Sequence, residues 1–259
     1  MRRPAYTNDI SQKNRFARAM RSLVKWLLVL TLAALVGICA YFGMRGYDLY
    51  LHASQNESVS EMAEGIRSQP GFVELENLPQ IYLDAVVSVE DHRFYRHPGF
   101  DVLATGRALF NDLKAGAIVE GGSTITQQLA KNEFFTQEQV IERKIAEVFM
   151  AFDIERSLSK DDILELYVNS IYFGDGYYGI GPACYGYLGK HACDMNDWES
   201  TLLAGTPNAP SVYAPTQDFD LACQRQQQVL NRMVKYDALT QEQANAIVAQ
   251  TPNALASAV

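Results

Sequence analysis

The run Gly121-Gly122-Ser123-Thr124-Ile125-Thr126-Gln127-Gln128-Leu129-Ala130-Lys131-Asn132 combines a glycine-rich turn with the start of a helix. The two glycines allow the backbone to bend or to approach a ligand closely. Thr124 and Gln127 have the spacing of a capping box, which predicts a helix beginning here. Such a turn presents free N–H groups to an anion. An ordinary capped helix with a solvated polar face explains the same run equally well.

Beyond this run, helical periodicity dominates the chain. The apolar residues from Ile81 to Val89 form one stripe, which predicts a helix ending near Glu90. Other helices are predicted over 140–155, over 160–169 after Ser159, from Asn196 or Asp197 to about Gly205, over 219–236, and over 241–249. Long alternating strand patterns are missing from the sequence. The fold is therefore predicted to be mainly α.

The N-terminal region has the pattern of a membrane anchor. Residues 1–25 contain seven basic residues and one acid, and the nineteen residues from Trp26 to Met44 carry no charge. A segment of this length can cross a bilayer as a helix, and the basic flank is expected to stay cytoplasmic. A cleaved signal peptide is the alternative. It needs small residues before the cut, and the sequence has no good cleavage site there, since the bulky Tyr41-Phe42 follows Cys39-Ala40.

These features divide the chain into a cytoplasmic tail (1–25), a transmembrane anchor (26–44), a stalk with a short helix (45–70) and one domain (71–250) outside the cytoplasm. No second catalytic domain is expected after residue 235, and the alternative is that the sequence is a fragment of a longer two-domain protein. The whole chain has a net charge of −8 and residues 1–25 contribute +6, so the remainder carries −14. This acidic balance excludes a nucleic-acid-binding protein, which needs a basic surface.

Three cysteines lie on the predicted external side, where disulfides can form. Cys184, Cys193 and Cys223 allow one disulfide and one thiol, and the sequence does not choose the pair. The alternative is three buried thiols that act as small apolar residues.

Three further motifs accompany the glycine-rich run. They are EDHRFYRHPGFD at 90–101, RKIAE at 143–147, and ILELYVN at 163–169 followed by YFG at 172–174. In this order the four motifs resemble the peptidoglycan glycosyltransferase family, over roughly residues 72–235. The resemblance implies a lysozyme-like bilobal domain in the bacterial cytoplasmic membrane, monofunctional and single-pass. It implies polymerisation of lipid II into glycan strands by inverting transfer, with release of polyprenyl pyrophosphate.

The resemblance also assigns roles to individual residues. Glu90 matches the catalytic glutamate; it ends an apolar helix, where desolvation and the helix dipole make a carboxylate a stronger base. Glu147 matches the second glutamate and is expected to position Arg143 or Lys131, or to hold a divalent metal such as Mg or Mn. Lys131, Arg143 and Lys144 are expected to face the pyrophosphate. Three residues are expected to bind sugar or phosphate oxygens: Ser123, Thr124 and Gln128.

Other motif residues are interpreted as structural. Asp91 is expected to orient its loop through backbone hydrogen bonds, and His92 and His97 have no metal-ligand spacing. One departure from the family is Gln139, where many members carry arginine. We therefore expect fewer cations around the pyrophosphate in this protein. An arginine at position 139 is predicted to raise activity.

The stretch from Ala104 to Val119 contains several apolar residues in what reads as a loop-rich region. Such residues either dip into a membrane or belong to the core. The family resemblance implies a membrane-touching region here that admits the lipid tail.

Two other functions fit parts of this pattern. A lysozyme-like glycan-cleaving enzyme needs a lone glutamate but not the three cations, and a non-catalytic cell-wall scaffold needs neither Glu90 nor Glu147. The implied partners are lipid II, the growing lipid-linked glycan strand, the membrane and other cell-wall synthesis proteins.

Overall fold

The computed structural model describes residues 6–116, 121–136 and 141–251, without the side chains of residues 6–17, 109 and 112. Within these ranges the chain is mainly α-helical, as predicted. The helices are α1 Tyr6–Asn56, α2 Val59–Arg67, α3 Gln80–Glu90, α4 Val102–Ala115, α5 Ile125–Phe134, α6 Ile141–Ser157, α7 Lys160–Ser170, α8 Ile180–Leu188, α9 Asp197–Gly205, α10 Pro210–Tyr213, α11 Phe219–Lys235 and α12 Gln241–Val248.

Two short antiparallel strands, β1 Tyr172–Gly174 and β2 Tyr177–Tyr178, are the only sheet in the described ranges. Tyr172 lies opposite Tyr178, and Gly174 lies opposite Tyr177. The turn between the strands contains Gly176 with a φ of 84°, a conformation that glycine adopts without strain. The hairpin places the YFG motif beside α7, the helix that carries the preceding motif.

Local capping explains where most of the predicted helices begin. Thr124 accepts a hydrogen bond from the Gln127 backbone N–H, while the Gln127 side chain bonds back to the Thr124 backbone. The same reciprocal pairs start α7 at Ser159, α9 at Asn196 and α12 at Thr240. The predicted starts of α5, α7, α9 and α12 are therefore confirmed, and each pair satisfies two backbone donors.

The core forms where α3 packs against α9 and α11 and where α5 packs against α6 and α7. Its largest fully buried side chains include Trp198 of α9, Tyr82 of α3 and Tyr167 of α7. Because α3 is held on several sides, its C-terminal residue Glu90 has a fixed position. The central helices therefore position the predicted catalytic carboxylate.

The prediction of a loop-rich stretch at 104–119 is wrong for its described part, which forms the helix α4. The Asp101 carboxylate accepts hydrogen bonds from the backbone N–H groups of Leu103 and Ala104, and Gly116 ends the helix with a φ of 65°. Ala117 to Val119 lie outside the described residues. Several large apolar side chains on α4 are exposed rather than in the core, namely Val102, Leu103, Phe110 and Leu113.

The N-terminal helix α1 is long and apolar enough, by length and composition, to cross a membrane between Arg18 and Asn56. Its apolar side chains from Trp26 to Met44 are largely exposed. In the segment 45–70, where the sequence predicts a stalk with a short helix, α1 continues to Asn56 and α2 follows. The domain boundary near residue 70 stays a prediction.

The end of α1 packs directly on α6. At Gly46 an added Cβ would lie 2.6 Å from the Ile145 Cβ, so only glycine permits this approach. The Tyr50 hydroxyl donates a hydrogen bond to Asp153. These contacts join the apolar helix to the helix that carries the RKIAE motif.

All four cysteines are free, so the alternative with a disulfide is wrong in this structure. Only Cys184 is fully buried, whereas Cys193 is exposed and Cys223 is half-buried. Burial raises the pKa of the Cys184 thiol to about 12, so this thiol stays protonated and behaves as a small apolar side chain.

Candidate active site

One cleft of about 800 Å³ brings together most of the residues that the sequence motifs predict. It lies between the end of α3, the turn before α5, one face of α6 and one face of α11. Of the eight predicted site residues, seven line it: Glu90, Ser123, Thr124, Gln128, Lys131, Lys144 and Glu147. Four motifs that are distant in sequence therefore form one polar concave surface.

Glu90 is held by a chain of two hydrogen bonds. The Gln128 Nε2 donates to Glu90 Oε2 at 2.7 Å, and the Tyr167 hydroxyl donates to Gln128 Oε1 at 3.3 Å. Tyr167 is fully buried, and desolvation raises the pKa of its hydroxyl well above the usual value. The hydroxyl therefore stays protonated and keeps the Gln128 amide turned with its nitrogen toward Glu90.

Asp91, next to Glu90, has a structural environment. Its Oδ2 lies 2.9 Å from His97 Nε2 and accepts a hydrogen bond from the Ile125 backbone N–H at 3.2 Å. Both Asp91 and His97 are buried. This network connects the loop after α3 to the start of α5, in agreement with the structural role interpreted for both residues. It fixes the position of Glu90 relative to the glycine-rich turn.

Glu147 also lines the cleft, is fully buried and binds two cations. Arg143 Nε donates to its Oε1 at 2.9 Å, and Lys144 Nζ donates to its Oε2 at 2.7 Å. Lys144 Nζ also donates to Ser123 Oγ at 2.7 Å. A buried carboxylate needs such partners, and here it fixes the direction of Lys144 toward the glycine-rich turn.

The structure places Arg143 differently from the other predicted residues. Its guanidinium lines a separate, smaller pocket and also donates to the Thr136 backbone carbonyl at 3.1 Å. Its Nε contact with Glu147 connects it to the cleft. Gln139, the departure from the family pattern, lies outside the described residues. The effect of an arginine at that position stays a prediction.

Lys131 is half-buried in the cleft. Burial lowers the pKa of its ammonium group, and the nearby cations Lys144 and Arg143 lower it further, while Glu147 and Glu90 act in the opposite direction. A partly desolvated ammonium group is stabilised when an anion binds beside it. The geometry therefore favours an anionic ligand between Lys131 and Lys144.

Thr124 lines the cleft, but its hydroxyl is occupied within the protein. It donates to the Gly99 backbone carbonyl at 2.6 Å and accepts from the Gln127 N–H at 3.1 Å. The side chain is buried. Its predicted contact with substrate stays a prediction, while its capping of α5 is observed.

The far wall of the cleft was not predicted from the sequence. It is formed by five polar residues of α11, namely Arg225, Gln228, Asn231, Arg232 and Lys235. Arg107 of α4 also lines the cleft. Their spacing of three to four residues, opposite the buried stripe of α11, is the sequence signal for this face. Desolvation lowers the pKa of Arg225. The cleft that contains Glu90 is therefore lined by cations of α11 as well as by those of α5 and α6.

One cluster could hold a metal by the distances between its ligand atoms, which lie within 4.8 Å of one another in Asp91, His97 and Asp101. These atoms are already used, since Asp101 accepts from two backbone N–H groups and pairs with Arg93 Nε at 3.0 Å. Both oxygens of Glu147 accept from cations. Neither set of residues fits a divalent metal without breaking these bonds.

Comparisons with known proteins agree with the site. A family model described as transglycosylase matches residues 55–234. Penicillin-binding protein 1A of Aquifex aeolicus is 45% identical over 66% of this chain and 24% of its own length. Penicillin-binding protein 1F of Bacillus subtilis is 40% identical over 80% of this chain and 30% of its own length. Penicillin-binding protein 1A of Vibrio cholerae is 37% identical over 88% of this chain and 30% of its own length.

This chain thus spans about a quarter to a third of the length of these relatives. The family model nevertheless covers more than half of the chain and includes all four motifs and the cleft that they form. The chain therefore belongs to the transglycosylase family, the peptidoglycan glycosyltransferases that its motifs resemble.

Proposed function

We propose that this chain polymerises lipid II into peptidoglycan glycan strands by inverting glycosyl transfer. The observation that carries the proposal is that Glu90 lies in the same cleft as Lys131 and Lys144. A carboxylate can take a proton from an acceptor hydroxyl. Fixed cations can hold the charge that develops on a departing pyrophosphate.

In the proposed reaction Glu90 removes the proton from the 4-hydroxyl of the acceptor sugar as the oxygen attacks the anomeric carbon of the donor. The bond between that carbon and the phosphate oxygen breaks, and its electron pair leaves with polyprenyl pyrophosphate. Attack from the opposite face converts an α-linked donor into a β-1,4 linkage. No step needs a covalent enzyme intermediate.

The protein's contribution is orientation and charge. Gln128 holds one oxygen of Glu90, which leaves Oε1 to face the acceptor. Lys131, and Lys144 as directed by Glu147 and Ser123, neutralise the leaving group. A donor of this kind contributes about 3 kcal/mol of transition-state stabilisation in a dry site. Arg143 acts through Glu147.

The two alternative functions account for fewer of these contacts. A lysozyme-like hydrolase has no use for the lysines beside the glycine-rich turn, since its leaving group is a neutral sugar. A non-catalytic scaffold has no use for a buried glutamate that orients a lysine into a cleft. The polymerase explains Glu90, Glu147 and the cations together.

We further propose that α1 anchors the chain in the bacterial cytoplasmic membrane, with residues 1–25 inside and the cleft outside. The supporting observations are the charge-free segment, its exposed apolar side chains and the basic N-terminal flank. The substrate class, lipid II and a lipid-linked strand, is itself confined to a membrane. Other cell-wall synthesis proteins are the further partners that the family resemblance implies.

A divalent cation such as Mg or Mn belongs to the family resemblance, but the ligand atoms of Asp91, His97 and Asp101, and both oxygens of Glu147, already have partners within the protein. The mechanism proposed here has no step that depends on it.

The test is to incubate the detergent-solubilised protein with lipid II and to size the products on a gel. Lipid-linked chains longer than the substrate support the proposal, whereas cleavage of preformed glycan would identify a hydrolase. Glu90→Gln should reduce polymerisation by about 10²–10⁴-fold with an unchanged melting temperature. Glu64→Gln, an exposed glutamate on α2, is the matched control. Activity of Glu90→Gln within a few-fold of the wild type would contradict the proposal.

A further inference from the structure

A second pocket, of about 370 Å³, lies where α1 meets the ends of α5 and α6. Its lining includes Arg45 and Leu49 of α1, Phe134 and Phe135 at the end of α5, and Arg143 of α6. Among the described residues it shares no lining residue with the cleft. The proposed reaction therefore leaves this pocket unused.

The position of the pocket relative to the membrane follows from the sequence. The nineteen charge-free residues from Trp26 to Met44 span roughly 28 Å as a helix, about the thickness of the hydrocarbon core. Arg45 is the first charged residue after them. This placement rests on the membrane anchoring proposed above, and it puts the pocket at the level of the lipid headgroups.

The chemistry of the lining matches an amphipathic ligand. Arg45 is 59% exposed, and its Nε lies 3.4 Å from Glu142 Oε1, a distance beyond that of a strong charge-assisted hydrogen bond. Arg143 supplies a second guanidinium, which is 12% exposed and bonded to Glu147. Leu49, Phe134 and Phe135 provide an apolar surface beside these cations. Arginine is well suited to phosphate oxygens.

We propose that this pocket binds the phosphate of an anionic phospholipid from the surrounding bilayer, with an acyl chain against Leu49 and the two phenylalanines. Basic pockets between membrane-spanning helices bind acidic headgroups on the cytoplasmic side of membranes, and the same attraction between cation and phosphate applies at the external end of the span. A bilayer lipid is favoured over the prenyl-linked substrate because the cationic cleft that takes the substrate is a separate space. Arg45 supplies the main contact, since Arg143 already has partners within the protein.

The bound lipid would lie one residue from the cleft. Arg143 lines the pocket, and its partner Glu147 lines the cleft and directs Lys144. An anion at Arg45 and Arg143 therefore adjoins the Arg143–Glu147 pair, and Glu147 positions Lys144 in the cleft. The site gives the bilayer composition a direct physical connection to the catalytic helix α6.

The experiment uses the full chain in nanodiscs of equimolar phosphatidylglycerol and phosphatidylcholine. After transfer to a mild detergent, retained phospholipid is identified and counted by native mass spectrometry. We expect the wild type to retain phosphatidylglycerol preferentially and Arg45→Gln to bind it about tenfold more weakly, as for the loss of one hydrogen bond between charged groups. Arg21→Gln, the same charge change on the opposite flank of the charge-free segment, should bind phosphatidylglycerol at the external pocket as the wild type does.

Several results would overturn the inference. They are equal retention by Arg45→Gln and wild type, equal retention of the two phospholipids, or displacement of phosphatidylglycerol by stoichiometric undecaprenyl phosphate, which would assign the pocket to the substrate lipid. Failure of the chain to enter nanodiscs would instead contradict the proposed anchoring. Lipid II polymerisation in detergent, measured in parallel, tests the proposed reaction independently of both.

Discussion

The side-chain nitrogen of Gln128, on α5, donates at 2.7 Å to Oε2 of Glu90, which ends α3 and lies 38 residues earlier in the sequence. Since an amide can present either its oxygen or its nitrogen, this contact depends on what fixes the amide. The Tyr167 hydroxyl, buried and protonated, supplies that constraint through Gln128 Oε1. The glutamate proposed as the base is therefore oriented by a residue that does not line the cleft.

Tyr167→Phe tests this relationship. Phenylalanine keeps the packing but loses the donor to Gln128, so the amide can rotate and turn its oxygen toward Glu90. We expect kcat to fall about tenfold, the equivalent of one weak hydrogen bond, with KM nearly unchanged. Steady-state kinetics with lipid II provide the measurement. Tyr187→Phe removes a tyrosine hydroxyl bond elsewhere, to the Phe173 carbonyl, and serves as the control. A change in KM alone would contradict the positioning role.

Lys131 makes the activity sensitive to alkaline pH. Because burial lowers the pKa of its ammonium group below the usual 10.5, the charge is lost at a lower pH than for an exposed lysine. As the pH is raised, polymerisation should therefore begin to decline before pH 10.5 is reached, because Lys131 deprotonates. Lys131→Arg keeps the charge at all accessible pH values and should move this decline to higher pH.

The same shift has an effect on stability with a definite sign. Between the lowered folded pKa and 10.5 the unfolded chain binds more protons at this site than the folded chain. The contribution of Lys131 to the free energy of unfolding therefore rises with pH in that window.

Lys131→Ala should lose both donor binding and turnover at neutral pH. Unaltered affinity of Lys131→Ala for a phosphoglycolipid inhibitor would show that the lysine does not face the pyrophosphate.

Glu147→Gln should affect both folding and catalysis. The substitution places an amide nitrogen against Arg143, which is 12% exposed, or against Lys144, which is 49% exposed, so one cation loses its acceptor. We expect a loss of about 1–3 kcal/mol in the free energy of unfolding and a larger proportional fall in turnover, because Lys144 is no longer directed toward Ser123. Denaturant melts and lipid II kinetics measure the two effects. A stable and fully active variant would show that the pair is dispensable.

Arg225→Gln tests the cationic wall formed by α11. The guanidinium is half-buried and faces the cleft that contains Glu90. Its loss should lower kcat/KM for lipid II by about tenfold, in the range for one charge-assisted contact. Gln224→Ala, an exposed neighbour on the same helix, is the control. Equal kinetics of Arg225→Gln and wild type would restrict substrate binding to the side of α5 and α6.

The sequence predicts the helices whose ends are determined locally. Thr124 with Gln127, and Ser159 with Asp162, satisfy backbone donors within four residues, so their pattern is visible without a fold. The helix α4 is not predicted because its apolar residues, such as Phe110 and Leu113, do not face a core. A stripe of apolar residues at helical spacing marks a helix with one buried face, and these apolar side chains of α4 are exposed.

The candidate site divides in the same way. The four motifs carry Glu90, Lys131 and Glu147, so their chemistry is visible in the sequence. The wall that contains Arg225 is not, because its inclusion depends on how α11 packs against α3 and α9. The separation of Arg143 from the cleft likewise depends on the packing of α1 on α6.

That packing, with Gly46 against Ile145, places the apolar helix α1 and the catalytic helix α6 in direct contact. An anchor whose apolar length differs from the local bilayer thickness tilts to reduce the mismatch. Because α1 and α6 are in direct contact, a tilt of the anchor rotates Glu147 and Lys144 with it. With α1 anchored in the bilayer as proposed, the angle at which the cleft meets a lipid-linked substrate depends on membrane thickness as well as on the fold.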